Sequence, residues 1–442
     1  MELLKVKAIK RLLFSACVVI ATAVVSTTLA IVPTPAPDQE GPIALTGAII
    51  HVGDGTIIGD GVITFDAGMI TAVGTAADNI DTSDHEVFDL QGRHVYPGFV
   101  LPNSTLGLVE VNAVRATADV VEEGDINASV RSAIAYNTDS EIIPTNRFNG
   151  ILTAQVTPQG GLISGSSAVF KLDGWNWEDA MLAEDVGLHL HWPSYTQRRR
   201  NPETGQIETV ENENYQGQTQ LLHSLFQDAK VYTGNPLNLN LLALQPLFNG
   251  VAKLFIHADD AKEIISAVRF ARTYGVEEIV LVGAADALLV RDFLVTENIP
   301  VIYERIHELP LREWNDIDAP FKTPFLLHDA GVKVGIGGGS TSIDRQRNLP
   351  FFAGTAAAYG VDREVALSMI TSINAEILGV DERVGTLEAG KDATLFISEG
   401  DALDMRTNQV IGAFIQGRDI DLNGTQQQLY ERFREKYSNT LE

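Results

Sequence analysis

The chain has 442 residues, 45% of them hydrophobic, so it can bury a large core together with an accessory domain. Its 32 Lys and Arg face 58 Asp and Glu, and the resulting net charge of -26 repels nucleic acid and anionic membranes, which we exclude as partners. The only cysteine is Cys17, which excludes a disulfide framework.

The first thirty residues have the organisation of an export signal. Basic residues stand at the start, an apolar run covers residues 12–25, and Thr28-Leu29-Ala30 is a small-residue exit. The apolar run is shorter than the ~20 residues that cross a bilayer. We therefore predict a cleaved signal peptide over 1–30, a periplasmic or secreted protein, and no membrane span after cleavage. An uncleaved membrane anchor is the minor alternative. Residues 31–42 form a Pro-rich linker.

Short strands broken by turns fill the segment that follows. The runs 46–52, 61–65 and 69–74 are separated by turns rich in Asp and Gly, and 86–90 is a fourth candidate strand. This segment contains three histidines, His51, His85 and His94. None is paired at the spacing of a metal site, so we expect them at surface or turn positions.

Strands and helices alternate later in the chain. Residues 253–257 predict a buried strand, and 261–274 carry the apolar stripe of a covering helix that Gly275 ends. Further predicted elements are the strands 278–282, 299–303 and 332–336, the helices 284–296 and 362–372, and a terminal helix over 425–437. This alternation predicts a parallel sheet with helical crossovers, and the chain length favours a closed eight-fold barrel.

Two motifs mark the two ends of the predicted barrel. They are Val95-Tyr-Pro-Gly-Phe-Val-Leu-Pro-Asn-Ser-Thr105 and residues 384–397. The first resembles the segment V-x-P-G-hydrophobic-hydrophobic-D-x-H-x-H that leads into the barrel of the amidohydrolase superfamily, and most of all of its imidazolonepropionase-like members. The second resembles the closing signature G-x-L-x-x-G-K-D-A-D-L of the same superfamily. The resemblance implies an α/β fold, a distorted (β/α)8 TIM-like barrel over 97–384. It also implies a composite β-sandwich from 43–96 and 385–424, followed by the C-terminal helix within 425–442.

The resemblance also implies where a divalent metal, usually zinc, would bind. Family ligands follow barrel strands 1, 4, 5, 6 and 8. The two strand 1 histidines are replaced by Asn103 and Thr105, the strand 8 aspartate by Gly339, and the strand 6 position falls in 282–285, which has no His. No strand 4 ligand can be assigned. His257 is the one ligand position kept, so we expect metal to be absent or weakly bound.

The candidate site follows from these positions. His257 is the candidate catalytic residue, and the candidate pocket residues are Asn103, Thr105, Gly339 and Asp259. Without a metal, the His257 ring needs other partners, for which Asn103 and Thr105 are suitable. His189 and His191 form an H-x-H pair on one face of a strand, a weaker alternative metal site that competes with a polar patch beside Trp192.

By resemblance, the protein is a hydrolase of carbon–nitrogen bonds in small molecules or short peptides. The substituted ligand positions leave two functions open. One is a hydrolase with a reduced or rebuilt metal site. The other, which the lost ligands favour, is a non-catalytic exported relative that binds a small ligand or pairs with an active amidohydrolase subunit in a homo- or hetero-oligomer.

Overall fold

The computed structural model describes residues 35–339 and 343–438. The predicted signal peptide and the first residues of the Pro-rich linker lie outside the described residues. Within the described residues, no helix is both long and apolar enough to cross a membrane.

Strands from both ends of the chain form one eight-stranded sheet. These strands are β1 (Ile43–His51), β2 (Ile57–Asp66), β3 (Met69–Thr75), β4 (Glu86–Asp89), β5 (His94–Pro97), β16 (Leu395–Ser398), β17 (Val410–Ile415) and β18 (Arg418–Asp419). The order is β18-β17-β16-β5-β1-β2-β3, with β4 beside β1. The antiparallel pairing of β16 with β5 joins the two chain ends. Phe65 and Phe414 pack edge to face in its core, with ring centroids 5.0 Å apart.

The second eight-stranded sheet is a nearly closed barrel. In order around it lie β6 (Phe99–Ser104), β7 (Ile151–Val156), β8 (Ile163–Lys171), β9 (Met181–His191), β12 (Lys253–Ala258), β13 (Ile279–Gly283), β14 (Val301–Tyr303) and β15 (Val334–Ile336). All neighbours are parallel except β8, which is antiparallel to both β7 and β9. The predicted distorted barrel is confirmed, and both chain ends build one β domain as predicted, although its strands pair as one sheet and not as the two sheets of a sandwich. A separate hairpin pairs β10 (Thr196–Arg200) with β11 (Ile207–Glu211).

Helices follow most barrel strands and cover them. They are α1 (Ser132–Ala135), α2 (Ile143–Arg147), α3 (Trp177–Ala180), α4 (Tyr215–Val231), α5 (Leu239–Phe248), α6 (Ala261–Tyr274), α7 (Arg291–Thr296), α8 (Ala319–Asp329), α9 (Ile343–Gln346), α10 (Leu349–Ala358), α11 (Arg363–Ser368), α12 (Ser372–Leu378) and α13 (Thr425–Ser438). Three short 3-10 helices cover Ala76–Asp78, Arg115–Thr117 and Ala287–Val290. Helix α6 has the predicted bounds, because Asp260 caps its first turn and Gly275 ends it at a φ of 84°.

The side chain of Asn374 bridges the first and last barrel strands. Its Nδ2 donates to the carbonyl of Val100 in β6 at 2.8 Å and to that of Ile336 in β15 at 2.9 Å. A Cβ at Gly335 would lie 2.1 Å from Asn374 Oδ1, so only glycine permits this approach. The two strands are thus held together by a side chain of helix α12.

Alternate side chains of the barrel strands face inward and outward. Val100, Phe255, Val280, Val282 and Ile302 form a buried interior layer, whereas their neighbours along the strands pack against the covering helices. This apolar layer fills the barrel and leaves polar side chains at the carboxyl ends of the strands. We call that end the barrel mouth.

Candidate functional site

Three histidines from two adjacent strands meet at the barrel mouth. The sequence analysis assigned His257 to one candidate site and the pair His189 and His191 to another. Strands β9 and β12 pair in a register that places His191 opposite His257. The structure therefore merges the two candidate sites into one.

The three imidazole rings are in direct contact. His189 Nδ1 lies 2.9 Å from His257 Nε2, and the rings of His191 and His257 stack with centroids 4.2 Å apart. Burial holds the pKa of His189 and of His257 well below the usual range and lowers the pKa of His191 to about 4. All three rings are therefore neutral near pH 7.

A chain of hydrogen bonds runs from His257 through residues of five barrel strands to Glu304, which directly follows β14. His189 Nε2 lies 2.8 Å from Ser167 Oγ, which accepts from Gln155 Nε2 at 2.8 Å. Gln155 Oε1 accepts from the backbone N–H of Asn103 at 2.9 Å, and Asn103 Nδ2 donates to Glu304 Oε1 at 2.9 Å. We call these six residues the mouth network: His257, His189, Ser167, Gln155, Asn103 and Glu304.

The mouth network has a buried floor and a more accessible rim. Asn103, Gln155, Ser167 and His189 are buried, whereas His257 and Glu304 are only partly covered. His191 and Asp259 are likewise partly covered beside them. These titratable groups lie above the buried floor at the carboxyl ends of the strands, where the functional sites of such barrels are found.

Two carboxyl groups at the rim have raised pKa values. Burial raises the pKa of Glu304 to about 8, although the hydrogen bond from Asn103 lowers it. Burial also raises the pKa of Asp259, which accepts from the backbone N–H of Ala285 at 3.0 Å. Glu304 is thus largely a neutral acid at pH 7, and titratable groups shifted in this way concentrate at functional sites.

The predicted pocket residues lie around this rim, but one expected contact is wrong. Asn103 is buried with a φ of 49°, a left-handed conformation that asparagine tolerates, and it bonds to Glu304 rather than to His257. His257 is instead satisfied by His189, which the sequence did not place nearby. Thr105 is buried, and the carbonyl of Gly339 accepts from Gln346 Nε2 at 3.3 Å.

Glu304 was missed by the sequence analysis. A signal was present, because it directly follows the predicted strand 299–303, and functional side chains of a barrel come from the carboxyl ends of its strands. The family pattern has no metal ligand after barrel strand 7, so it does not single out this position. Gln155 and Ser167 were missed because they lie within strands and carry no motif.

The expectation for His51 and His94 also needs correction. His51 is buried, with Nδ1 2.8 Å from Glu364 Oε1 and Nε2 2.9 Å from His94 Nδ1. These histidines join the composite sheet to helix α11, so they are not free surface residues. His85 is partly exposed near a turn.

The mouth network, as arranged, does not fit the family's divalent metal. The proton between His189 Nδ1 and His257 Nε2 occupies one of those two nitrogens, so both lone pairs cannot face an ion. Strand 1 offers an amide and a hydroxyl, and strand 8 offers Gly339 in place of a carboxylate. No group of three or more His, Cys, Asp or Glu side chains in 35–339 and 343–438 is placed to hold a metal ion.

Comparisons with known proteins point to one family. Residues 324–420 match the model of the amidohydrolase family. An amidohydrolase from Thermotoga maritima MSB8 superposes with a TM-score of 0.74 at 21% identity, over 86% of this chain and 99% of that one. The amidohydrolase resemblance is confirmed. No curated protein sequence is significantly similar to this chain.

Two further solved structures share this fold at lower TM-scores. A Xaa-Pro dipeptidase with bound methionine in its active site superposes with a TM-score of 0.53 at 12% identity, over 86% of this chain and 100% of that one. An adenosine deaminase from Xanthomonas campestris with bound zinc has a TM-score of 0.51 at 14% identity, over 91% and 100%. At these identities the likeness establishes the fold alone, so function depends on the site.

Proposed function

We propose that this amidohydrolase-fold protein binds small amides or short peptides at the barrel mouth and does not hydrolyse them with a bound metal. The observation that carries the proposal is the His189–His257 hydrogen bond, which engages the ring nitrogens that an ion would need. The polar atoms of the floor bond to one another, with the exception of Asn103 Oδ1, so the floor is preorganised and keeps one acceptor for a ligand.

The rim has the chemistry to bind an amide. A neutral Glu304 carboxyl can donate a hydrogen bond, and Asn103 Oδ1 is a buried acceptor with no hydrogen-bond partner among the described residues. An amide offers a carbonyl acceptor and an N–H donor, which complement these two groups without bringing a charge into a poorly solvated site. Carboxylates and ammonium ions would have to be desolvated there without an opposite charge.

Hydrolysis of a carbon–nitrogen bond is the second candidate function. It is favoured by Glu304, because a carboxyl with a pKa of about 8 is suited to proton transfer near neutral pH. Three neutral imidazoles stand in the same mouth and could accept a proton. This candidate requires that turnover survive removal of metal, or that metal rearrange the three rings.

One experiment separates the two functions. Protein freed of metal with a chelator is titrated with a panel of dipeptides and cyclic amides in a calorimeter, and the same mixtures are analysed for hydrolysis with and without added zinc. Binding without turnover in either condition is expected, and His257→Ala should weaken binding. His328→Ala, an exposed histidine on α8, is the matched control. Turnover that His257→Ala abolishes would overturn the proposal in favour of the hydrolase.

We also propose that the protein is exported and can pair with an active amidohydrolase subunit. The first thirty residues support export through their basic, apolar and small-residue regions. Fractionation of producing cells tests the location, and co-purification with a metal-containing amidohydrolase tests the pairing. Retention in the cytosolic fraction would contradict the first proposal, and a protein that stays free of such a subunit would contradict the second.

A further inference from the structure

The direction of the hydrogen bonds in the mouth network is determined at one end. A backbone N–H can only donate, so the N–H of Asn103 requires the Oε1 atom of Gln155 to face it. The amide of Gln155 is therefore oriented with its Nε2 toward Ser167 Oγ, at 2.8 Å. Ser167 Oγ accepts this bond and retains one hydrogen of its own to donate.

Two acceptors compete for the Ser167 hydroxyl hydrogen. His189 Nε2 lies at 2.8 Å, within the ordinary range for such a bond, whereas the carbonyl oxygen of Gly187 lies at 3.4 Å, beyond it. The hydroxyl therefore donates to His189 Nε2. Because a neutral imidazole has one N–H, the hydrogen of His189 must be on Nδ1.

The tautomer of His189 determines that of His257. His189 Nδ1–H donates to His257 Nε2 at 2.9 Å, so the hydrogen of His257 is on Nδ1. That atom makes no hydrogen bond to any residue in the described part of the chain, and the His257 ring is partly accessible at the mouth. Neither ring has a carboxylate among its hydrogen-bond partners, so both rings are neutral.

We propose that Gln155 and Ser167 are positioning residues, which fix the tautomers of His189 and His257 so that His257 presents Nδ1–H to the ligand as a donor. The bound atom opposite His257 is then an acceptor, such as the carbonyl oxygen of an amide. This last step rests on the proposed function, whereas the tautomers themselves do not. In the family pattern the histidine at this strand end binds a metal through a nitrogen lone pair. Here His257 instead offers an N–H, which donates a hydrogen bond.

The tautomers can be read directly by NMR. Protein labelled with 15N-histidine is examined without ligand by long-range 1H–15N correlation, which distinguishes the protonated from the unprotonated ring nitrogen. Signals are assigned with His189→Gln and His257→Gln. Both rings are expected as Nδ1–H tautomers. If both rings are found as Nε2–H tautomers, the hydrogen bonds of the mouth network run in the other direction and the proposal is overturned.

A substitution tests the positioning role. Ser167→Ala removes the donor to His189 Nε2, so the His189 and His257 signals should move toward a mixture of tautomers. Ser166→Ala is the matched control, because its hydroxyl donates to Asp185 at 2.7 Å and contacts no histidine, and it should leave both signals unchanged. Unchanged tautomers in Ser167→Ala would refute the role, even if the wild type has the expected form.

A binding titration keeps this inference separate from the proposed function. Ser167→Ala should weaken the binding of an amide probe such as 2-piperidone by about fivefold, the equivalent of one ordinary hydrogen bond. Correct tautomers without amide binding would reject the proposed function and leave the positioning role intact. Amide binding with Nε2–H tautomers would reject the positioning role alone.

Discussion

Replacing Glu304 by glutamine should change how stability depends on pH. Glu304 lies between strands at the rim, where Asn103 donates to its Oε1. Burial raises its pKa from an ordinary value of 4.5 to about 8, so the folded protein holds a proton that the unfolded chain releases. The folded state is then favoured at low pH, and its stability falls as the pH rises from 4.5 through 8.

The size of the effect follows from the two pKa values. A change from 4.5 to about 8 corresponds to at most about 5 kcal/mol of differential stabilisation of the neutral carboxyl. Between pH 6 and pH 8 the wild type should lose about 2 kcal/mol of unfolding free energy through this group, because the slope is about 1.36 kcal/mol per pH unit until the folded pKa is reached. Glu304→Gln cannot ionise and should lose none of it.

Urea unfolding, followed by tryptophan fluorescence at several pH values, measures this difference. Any pH-independent change in unfolding free energy that the glutamine causes cancels when the pH dependence of the variant is compared with that of the wild type. Glu313→Gln, an exposed glutamate on the same loop, is the matched control and should follow the wild type. If Glu304→Gln and the wild type lose stability in parallel between pH 6 and pH 8, Glu304 is not a neutral acid in the folded protein. Its carboxyl could then not donate a hydrogen bond to an amide at the rim.

Further predictions concern the fold and the chain start. Gly335→Ala should lower the unfolding free energy by about 2 kcal/mol, because its Cβ would displace Asn374 from the strands that it bridges. Gly217→Ala, in the first turn of helix α4 where nothing lies within 4 Å of the added Cβ, should instead stabilise by about 0.5 kcal/mol. Asp286→Ala should cost about 2 kcal/mol in a urea titration, since the Arg312 guanidinium loses two bonds to a buried carboxylate and keeps only Asp260 as a partner. Intact-mass measurement of exported protein should give a chain that lacks the first thirty residues, and a full-length mass would contradict the cleavage.

Much of the fold could be predicted because local patterns and the two motifs agree. The helix 261–274 has an acidic cap, an apolar stripe and a terminal glycine, and all three signals lie within the helix or beside it. The predicted helix 362–372 was less accurate, since helix α11 ends at Ser368 and helix α12 begins only at Ser372. The carbonyls of Met369 and Ile370 accept from Ile336 and Val100 of the barrel, which draws that backbone out of the helix. A tertiary contact of this kind leaves no local signal.

The site was harder to predict than the fold because it is assembled by strand pairing. His191 and His257 meet only because β9 pairs with β12, across a long segment that contains a hairpin and two helices. The metal-ligand pattern also directed attention to the positions that had lost a ligand. Other polar groups of the mouth network lie at positions for which the family pattern has no requirement. They are Glu304, Gln155 and Ser167.

The central claim is that the mouth network has replaced a metal centre, and the metal content of the mature protein tests it most directly. The protein is produced in medium supplemented with zinc, manganese and iron, dialysed against a chelator, and analysed by inductively coupled plasma mass spectrometry. We expect well below one transition-metal ion per chain, because His189 and His257 share a proton where an ion would need two lone pairs. One tightly bound ion per chain would contradict the account and return the protein to the metal-dependent hydrolases.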